Sequence, residues 1–337
     1  MRRVIPQLQE NIRALVAALA DQADAAGDAL MPSYTHMRRA MPVMVAHFLL
    51  SHAAAFRRDH ARLAVAAQEA DAMPLGSGAI AGTAYAVDVN ALAKRLGFSR
   101  VVLNSIDASS DRDFVATFLH ACAMAMIHLS RLAEDFILFT SEEFGFFDLA
   151  DRSATGSSMM PQKKNPDPLE LIRGKAGRAI GNLTGMLATM KGLPTGYNKD
   201  LQEDKEPVFD AEDTLRASAT AARAVIAHVT LRPDRTRAAA SGLLLATDAA
   251  DYLASKGVPF RHAHEVVGSM VRHLLADGRG FESLTLDEWR RFSDKFGADV
   301  QEAIRPESSV NARKTPQSTA PDAVRAALAE TRDWLRS

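Results

Sequence analysis

A chain of 337 residues is long enough for one large domain and a smaller one, so a sizeable buried core presents no difficulty. The 40 basic and 41 acidic residues leave a formal net charge of −1 with the two signs interspersed, which disfavours nucleic acid or an anionic membrane as partner and leaves a small molecule. Cys122 is the only cysteine, which excludes an intramolecular disulfide and a thiolate zinc cluster and fits a reducing, cytoplasmic setting. The opening Met1-Arg2-Arg3 has the flavour of a signal peptide, but Gln7, Gln9 and Glu10 interrupt it before an apolar core can form, so export is not expected.

Ile5, Leu8, Ile12, Leu15 and Leu19 recur at alternating steps of three and four residues, the seam of a helix packed nearly parallel to its neighbours. A second helical stretch follows Pro42 and runs through Phe48, Leu49, Ala53 and Phe56 to about Ala70, where Met73-Pro74-Leu75-Gly76 breaks it. The third, from about Asp111 to Thr140, is apolar on nearly every face, as befits a helix surrounded by helices. Within it Phe114 to Ser130 is the nearest approach to a membrane span. It is short and carries His120 and His128, so a buried helix explains it better.

The fourth helix is predicted to open with Asp167 as N-cap, Pro168 in the first turn and Glu170 at the capping-box position, and to close at Gly192 with Pro194 beyond. Gly174, Gly177, Gly181 and Gly185 fall on one of its faces, where they would let a neighbouring backbone approach closely. A fifth helix, from roughly Asp210 to Thr230, ends before Arg232-Pro233, the best candidate for a domain boundary. Shorter helices follow: Ala246 to Ser255, a capping box at Thr285 and Glu288, and a last helix from Pro321 through Trp334. No run alternates convincingly with strand period, and no internal repeat appears, so the chain reads as all-α.

Three features imitate functional motifs. Gly76-Ser77-Gly78-Ala79-Ile80-Ala81-Gly82 resembles a dinucleotide loop, but its third glycine is one place late and no strand is predicted before it, so it reads as a turn between helices. His262 and His264 are two apart, which on a helix points them to different faces, and no histidine pair has the spacing of a helical zinc motif. Cys122 lies in the most apolar helix, where a small inert hydrophobe is the ordinary case.

The segment Ser153 to Asn165 differs from everything around it: small and polar, then a glycine, then two lysines, then a helix start. It reads either as a surface loop with solvated lysines or as a mobile lid, presenting Ser157 and Ser158 while Lys163 and amides near the helix start attract an anion. Gly156-Ser157-Ser158-Met159-Met160-Pro161-Gln162-Lys163-Lys164-Asn165-Pro166 resembles the signature loop of the fumarase/aspartase lyase superfamily, and its Gln-Lys-Lys-Asn-Pro-Asp form is similar to the argininosuccinate lyase branch. The likeness extends through Asn104-Ser105, Ser110-Asp111-Arg112-Asp113, Ser141-Glu142-Glu143-Phe144-Gly145 and Gly257-Val258-Pro259-Phe260.

That resemblance implies a long central helical bundle over residues 1–232 and a smaller C-terminal helical domain over 233–337. It implies Ser157 as catalytic base, with Lys163 and Asn165 holding the carboxylate that becomes an enediolate as the proton leaves, and Lys164 as a bystander. Tyr34-Thr35-His36 matches the family's Thr-His motif, in which Thr35 would bind substrate. His36, oriented by Glu170, would be the general acid for the departing nitrogen. Gly196-Tyr197-Asn198-Lys199-Asp200-Leu201-Gln202-Glu203-Asp204-Lys205-Glu206 resembles a stretch particular to argininosuccinate lyases, in which Tyr197, Gln202 and Lys205 would contact substrate. The implied reaction is reversible β-elimination of argininosuccinate to arginine and fumarate, by a cytoplasmic homotetramer with shared active sites and no metal or organic cofactor.

The sequence departs from the family in two places. After Thr-His the family reads Leu-Gln-Arg-Ala-Gln-Pro, whereas Met37-Arg38-Arg39-Ala40-Met41-Pro42 stands here, with two glutamines gone and Arg38 added. Family members also carry an N-terminal domain ending in Ser-Arg-Asn-Asp-Gln before the first bundle helix, and this chain opens within that helix. A sister lyase acting on another succinyl adduct, and an inactive structural homologue, are the alternatives these departures raise.

Overall fold

The computed structural model describes residues 1–337. In chain order the elements are α1 (Ile5–Ala26), β1 (Leu30–Thr35), β2 (Arg38–Met44), α2 (Val45–Glu69), β3 (Ala72–Met73), α3 (Val89–Leu96), β4 (Arg100–Val101), α4 (Ser105–Ser110) and α5 (Asp113–Phe139). Then come β5 (Phe147–Asp148), β6 (Thr155–Gly156), β7 (Lys164–Asn165), α6 (Asp167–Met190), a 3-10 turn Lys199–Asp204, α7 (Lys205–Ile226) and β8 (Thr230–Leu231). The remainder is α8 (Pro233–Ala239), α9 (Ala246–Ser255), α10 (Phe260–Ala276), α11 (Leu286–Phe292), α12 (Val300–Ala303), α13 (Pro306–Asn311) and α14 (Pro321–Arg336). Helices dominate, as the apolar periodicity predicts; all strand pairing is in four two-stranded ribbons.

The chain forms two compact units, and neither is continuous. One comprises Met1–Leu19, His52–Ser141 and Leu149–Val229; the other comprises Ala20–Ser51, Glu142–Asp148 and Thr230–Ser337. A break falls beside the boundary expected at Arg232, but the second unit also takes two earlier segments that the single cut assigned to the bundle.

The first unit is the helical bundle. The α1 seam residues Ile5, Leu8, Ile12, Leu15 and Leu19 are fully buried, and α5 packs against both α6 and α7, which pack on each other. By length and composition α5 could cross a membrane, but more than half of its most apolar window is buried inside the fold. His128 on α5 is itself buried and bonds through Nδ1 to Asp59 Oδ2 of α2 at 2.7 Å, and Arg62 donates to the other oxygen of that fully buried carboxylate at 2.8 Å. A buried carboxylate so held is satisfied at both oxygens, as burial requires. Cys122 is fully buried, and desolvation pushes its thiol up, away from thiolate.

Three expectations for this unit are corrected. A strand, β3, does precede the Gly76–Gly82 loop, pairing in parallel with β4, yet no helix opens at the loop. Gly78 has φ +59, and a Cβ there would meet the Gly82 carbonyl at 2.3 Å, so this is a tight turn rather than a phosphate cradle. Helix α6 is capped by Pro166, whose carbonyl accepts from Glu170 N–H at 3.1 Å; Asp167 is the first helical residue and accepts from Thr155 Oγ1 instead, so no capping box forms. The α6 glycines Gly174, Gly177, Gly181 and Gly185 have nothing within 4 Å of a built Cβ, so no backbone of this chain approaches them.

The second unit holds the one substantial ribbon. β1 and β2 pair antiparallel from Leu30↔Met44 to Thr35↔Arg38, with an irregularity between Pro32 and Tyr34. The sequence hides it because Pro32 and Pro42, which argue against a strand, are placed opposite each other in the ladder. The hairpin is held by α8, which packs on β1, and by α13 on β2. Met44 N–H donates to Thr319 Oγ1 at 2.7 Å, and Arg39 Nη1 to the Ala239 carbonyl at 3.4 Å. The core of this unit is aromatic: Phe281 stacks on Trp289 at 5.3 Å, Trp289 meets Phe296 edge-on at 4.8 Å, and Tyr252 stacks on Phe296 at 5.9 Å. Asp248 is buried against Ser309 and Arg313 (2.7 and 2.6 Å), and desolvation still holds its carboxyl above the usual range.

Candidate active site

The serine loop is a hairpin. β6 and β7 pair antiparallel, Thr155 opposite Asn165 and Gly156 opposite Lys164, so residues 157–163 form its loop. Ser157 N–H reaches the Lys163 carbonyl at 3.3 Å, and Lys163 N–H reaches the Met160 carbonyl at 3.0 Å. Two side-chain contacts close the neck from outside: Lys164 Nζ donates to Asp151 Oδ1, and Thr155 Oγ1 donates to Asp167 Oδ2. Lys164 holds the Asp151 carboxyl below its usual range. Its role here is therefore to fasten the hairpin.

Ser157 is half-buried at the first loop position. Its Oγ accepts from the N–H groups of Met159 and Met160, at 3.2 and 3.0 Å. These amides, within the loop itself, are the ones aimed at the hydroxyl, and the start of α6 carries Asp167 and Glu170 in its first turn. Two donors on one hydroxyl oxygen favour the oxyanion over the neutral group, which is what a serine needs to act as a base. Lys163 Nζ donates to Asn165 Oδ1 across the end of the ladder. The lysine keeps further N–H donors and the asparagine keeps its amide N–H₂, so the pair can bind an anionic oxygen without rearrangement. Glu170 is exposed in the first turn of α6, and its carboxylate bonds to no side chain of this chain.

The third stretch lies in the same unit. Gln202 Nε2 donates to the Tyr197 hydroxyl at 2.8 Å, tying the 3-10 turn to the segment that leads into it. Lys205, at the start of α7, donates to Asp204 Oδ1 at 2.8 Å, and Arg112 Nε donates to Asp204 Oδ2 at 2.5 Å. Asp204 is buried, whereas Tyr197, Gln202 and Lys205 are exposed. Sequence reasoning gave Asp204 and Arg112 no role. A carboxylate within Asp200–Glu206 reads as one more solvated charge, and its partner is 92 residues away.

Thr35 and His36 belong to the other unit and stand exposed at the tip of the β1–β2 hairpin. Its two turn residues are His36 and Met37, with φ of +53 and +58, the only residues other than glycine in the left-handed region. Such a two-residue turn suits the twist of a hairpin but ordinarily takes Asn or Gly. Tyr34 anchors the strand below, edge-on to Phe144 at 5.7 Å, which meets Phe146 at 5.6 Å. The Ser141–Gly145 likeness thus includes part of the support of the Thr-His hairpin.

Residues 1–181 match the lyase family, and residues 243–311 match the argininosuccinate lyase C-terminal family. Among curated proteins, the argininosuccinate lyase of Roseiflexus castenholzii is 52% identical over 98% of this chain and 73% of its own length. That of Moorella thermoacetica is 48% identical over 99% of this chain and 72% of its own. Among solved structures, an EDDS lyase variant with bound fumarate superposes with a TM-score of 0.93 at 27% identity, covering 99% of this chain and 69% of that one. A fumarate lyase from Mesorhizobium sp. BNC1, 20% identical, shares the fold with a TM-score of 0.82, covering 97% of this chain and 73% of its own. With the Ser157 loop and both family regions in place, the chain belongs to the argininosuccinate lyase family of the fumarase/aspartase superfamily.

Proposed function

We propose that this protein catalyses the reversible β-elimination of argininosuccinate to arginine and fumarate, serving arginine biosynthesis in the cytoplasm. The observation that carries the reading is the Ser157 hydroxyl held by the Met159 and Met160 amides, on a hairpin that ends in the paired Lys163 and Asn165. As its alkoxide, Ser157 takes the proton from the carbon beside the succinyl carboxylate. The charge moves onto that carboxylate, where Lys163 and Asn165 receive it. The carbon–nitrogen bond then breaks, its electrons go to the guanidino nitrogen, and His36 supplies the proton that nitrogen needs. Glu170 orients the His36 ring; Thr35, Tyr197, Gln202 and Lys205 bind the remainder of the substrate. The assembly we favour is a homotetramer in which different subunits complete each site, as the family resemblance implies. The glycine face of α6, open in the single chain, supports such packing.

Purified protein given argininosuccinate should release fumarate, read by its absorbance. Ser157→Ala should lower turnover by a factor of about a thousand or more, with the thermal melt unchanged. Wild-type silence in an assembled sample would defeat the assignment. A second reading has its own support: Arg38 replaces a family glutamine beside the exposed His36, and the EDDS lyase variant superposes well. Comparing kcat/KM across succinyl adducts separates the two, and a preference for another adduct over argininosuccinate would favour the sister lyase.

A further inference from the structure

Asp204 is the one buried carboxylate in the exposed stretch from Tyr197 to Glu206, and both its oxygens are engaged. Oδ2 takes the Arg112 Nε–H at 2.5 Å and Oδ1 takes the Lys205 ammonium at 2.8 Å. Arg112 caps the start of α5, and its Nη1 is fixed on the Asp111 carbonyl at 2.7 Å. Arg112 is mostly covered, with 16% of its side chain exposed against 57% for Lys205. The three groups carry two positive charges and one negative. Because the inner arginine already balances the carboxylate, the three groups together keep one net positive charge, and the ammonium is the part of the cluster that faces solvent. Without Arg112 the same carboxylate would neutralise Lys205 and repel an incoming anion.

We propose that Arg112 is a positioning residue that, through Asp204, holds the Lys205 ammonium in place and leaves its charge available to a carboxylate of the substrate. This rests on the reading above only in placing Lys205 at the substrate. Arg112 acts at a distance, as the counter-charge that makes the Asp204–Lys205 pair attractive to a dicarboxylate. Asp204 fixes where the ammonium sits, joining the start of α7 to the start of α5.

The test uses the whole chain and needs no turnover. Lysines are acetylated under limiting N-hydroxysuccinimidyl acetate, with and without succinate as the dicarboxylate probe, and Lys205 is followed by peptide mass spectrometry. Succinate should slow acetylation of Lys205 about fivefold in the wild type, the order of a partly exposed charge interaction. Arg112→Met should abolish that protection. The double variant Arg112→Met/Asp204→Asn should regain it, a result a merely structural bridge would not give, since both changes remove the bridge. Arg112→Lys, which keeps the charge and guards against a folding defect in the methionine variant, should stay protected. Protection of Lys205 in folded Arg112→Met, its loss in folded Arg112→Lys, no recovery in the double variant, or no protection in the wild type would each overturn the proposal. Fumarate release from argininosuccinate is measured on the same wild-type sample. Silence there with Lys205 still protected would defeat the substrate assignment and leave the charge arrangement supported.

Discussion

Met37 and His36 share the tip of a two-residue hairpin turn in left-handed backbone, and of the two only His36 has an ionisable side chain. Met37 is 63% exposed, so its side chain gains little from burial, and its backbone carries strain that glycine would not. Met37→Gly should therefore leave the denaturant midpoint unchanged or raised. Met37→Val, with a branched Cβ at positive φ, should lose about 1–2 kcal/mol. Equal midpoints for the two variants would remove the argument that this turn is strained. At this scale the sequence was legible where chemistry is contiguous: Ser157, Lys163 and Asn165 sit within nine residues and stand on one hairpin. It was illegible where a partner is distant, as with Arg112 and Asp204, because burial of an acidic side chain inside a charged run has no local signal.

Among the elements, the two capping boxes that residue spacing announced part ways: the one on α11 forms and the one on α6 does not. Thr285 and Glu288 form the expected capping box on α11: Glu288 N–H reaches Thr285 Oγ1 at 3.3 Å, and Glu288 Oε2 accepts from Thr285 N–H at 2.8 Å. Arg279 on the same carboxylate, with Thr285, pulls Glu288 from its ordinary 4.5 down to about 2. A carboxylate lowered on folding stabilises above its unfolded value, and that stabilisation is lost as pH falls through the folded value. Glu288→Gln should thus melt below the wild type at neutral pH, and the gap should close as pH drops from about 4.5 toward 2. A gap that persists at the acid end would mean that the charge is not what holds this cap. Asp167 and Glu170 carry a similar spacing on α6, but Pro166 holds the cap position and Thr155 draws the Asp167 carboxylate away.

For the whole molecule, helix content and the order of the major helices follow from apolar periodicity, while the division into units does not. Periodicity records which face of a segment is buried, not which distant segment buries it, and α1 and α2 each run from one unit into the other. The α6 face illustrates the same limit. Its glycines were legible as small residues, but they lie open in this chain, on a helix that also exposes Leu171, Ile180 and Leu187. If a second copy packs there, Gly181→Ala should weaken the tetramer by placing a Cβ in that contact. It should also stabilise the dissociated chain by up to about 1 kcal/mol through helix propensity. Sedimentation velocity and thermal melting read the two effects separately, and an undisturbed tetramer would place that contact elsewhere.

The β1–β2 hairpin also sets a timetable for synthesis. Its bonds reach Ala239 and Thr319, 200 and 275 residues downstream of their donors. At ribosomal speeds of about 5–20 residues per second, the ribbon must wait roughly ten seconds to a minute for those partners. Throughout that interval Leu30, Met31 and Met44, buried in the finished protein, have yet to meet the C-terminal part of their unit. The hairpin that carries His36 is complete well before the C-terminal part of its unit has been made, which prolongs the nascent chain's exposure to aggregation at this ribbon.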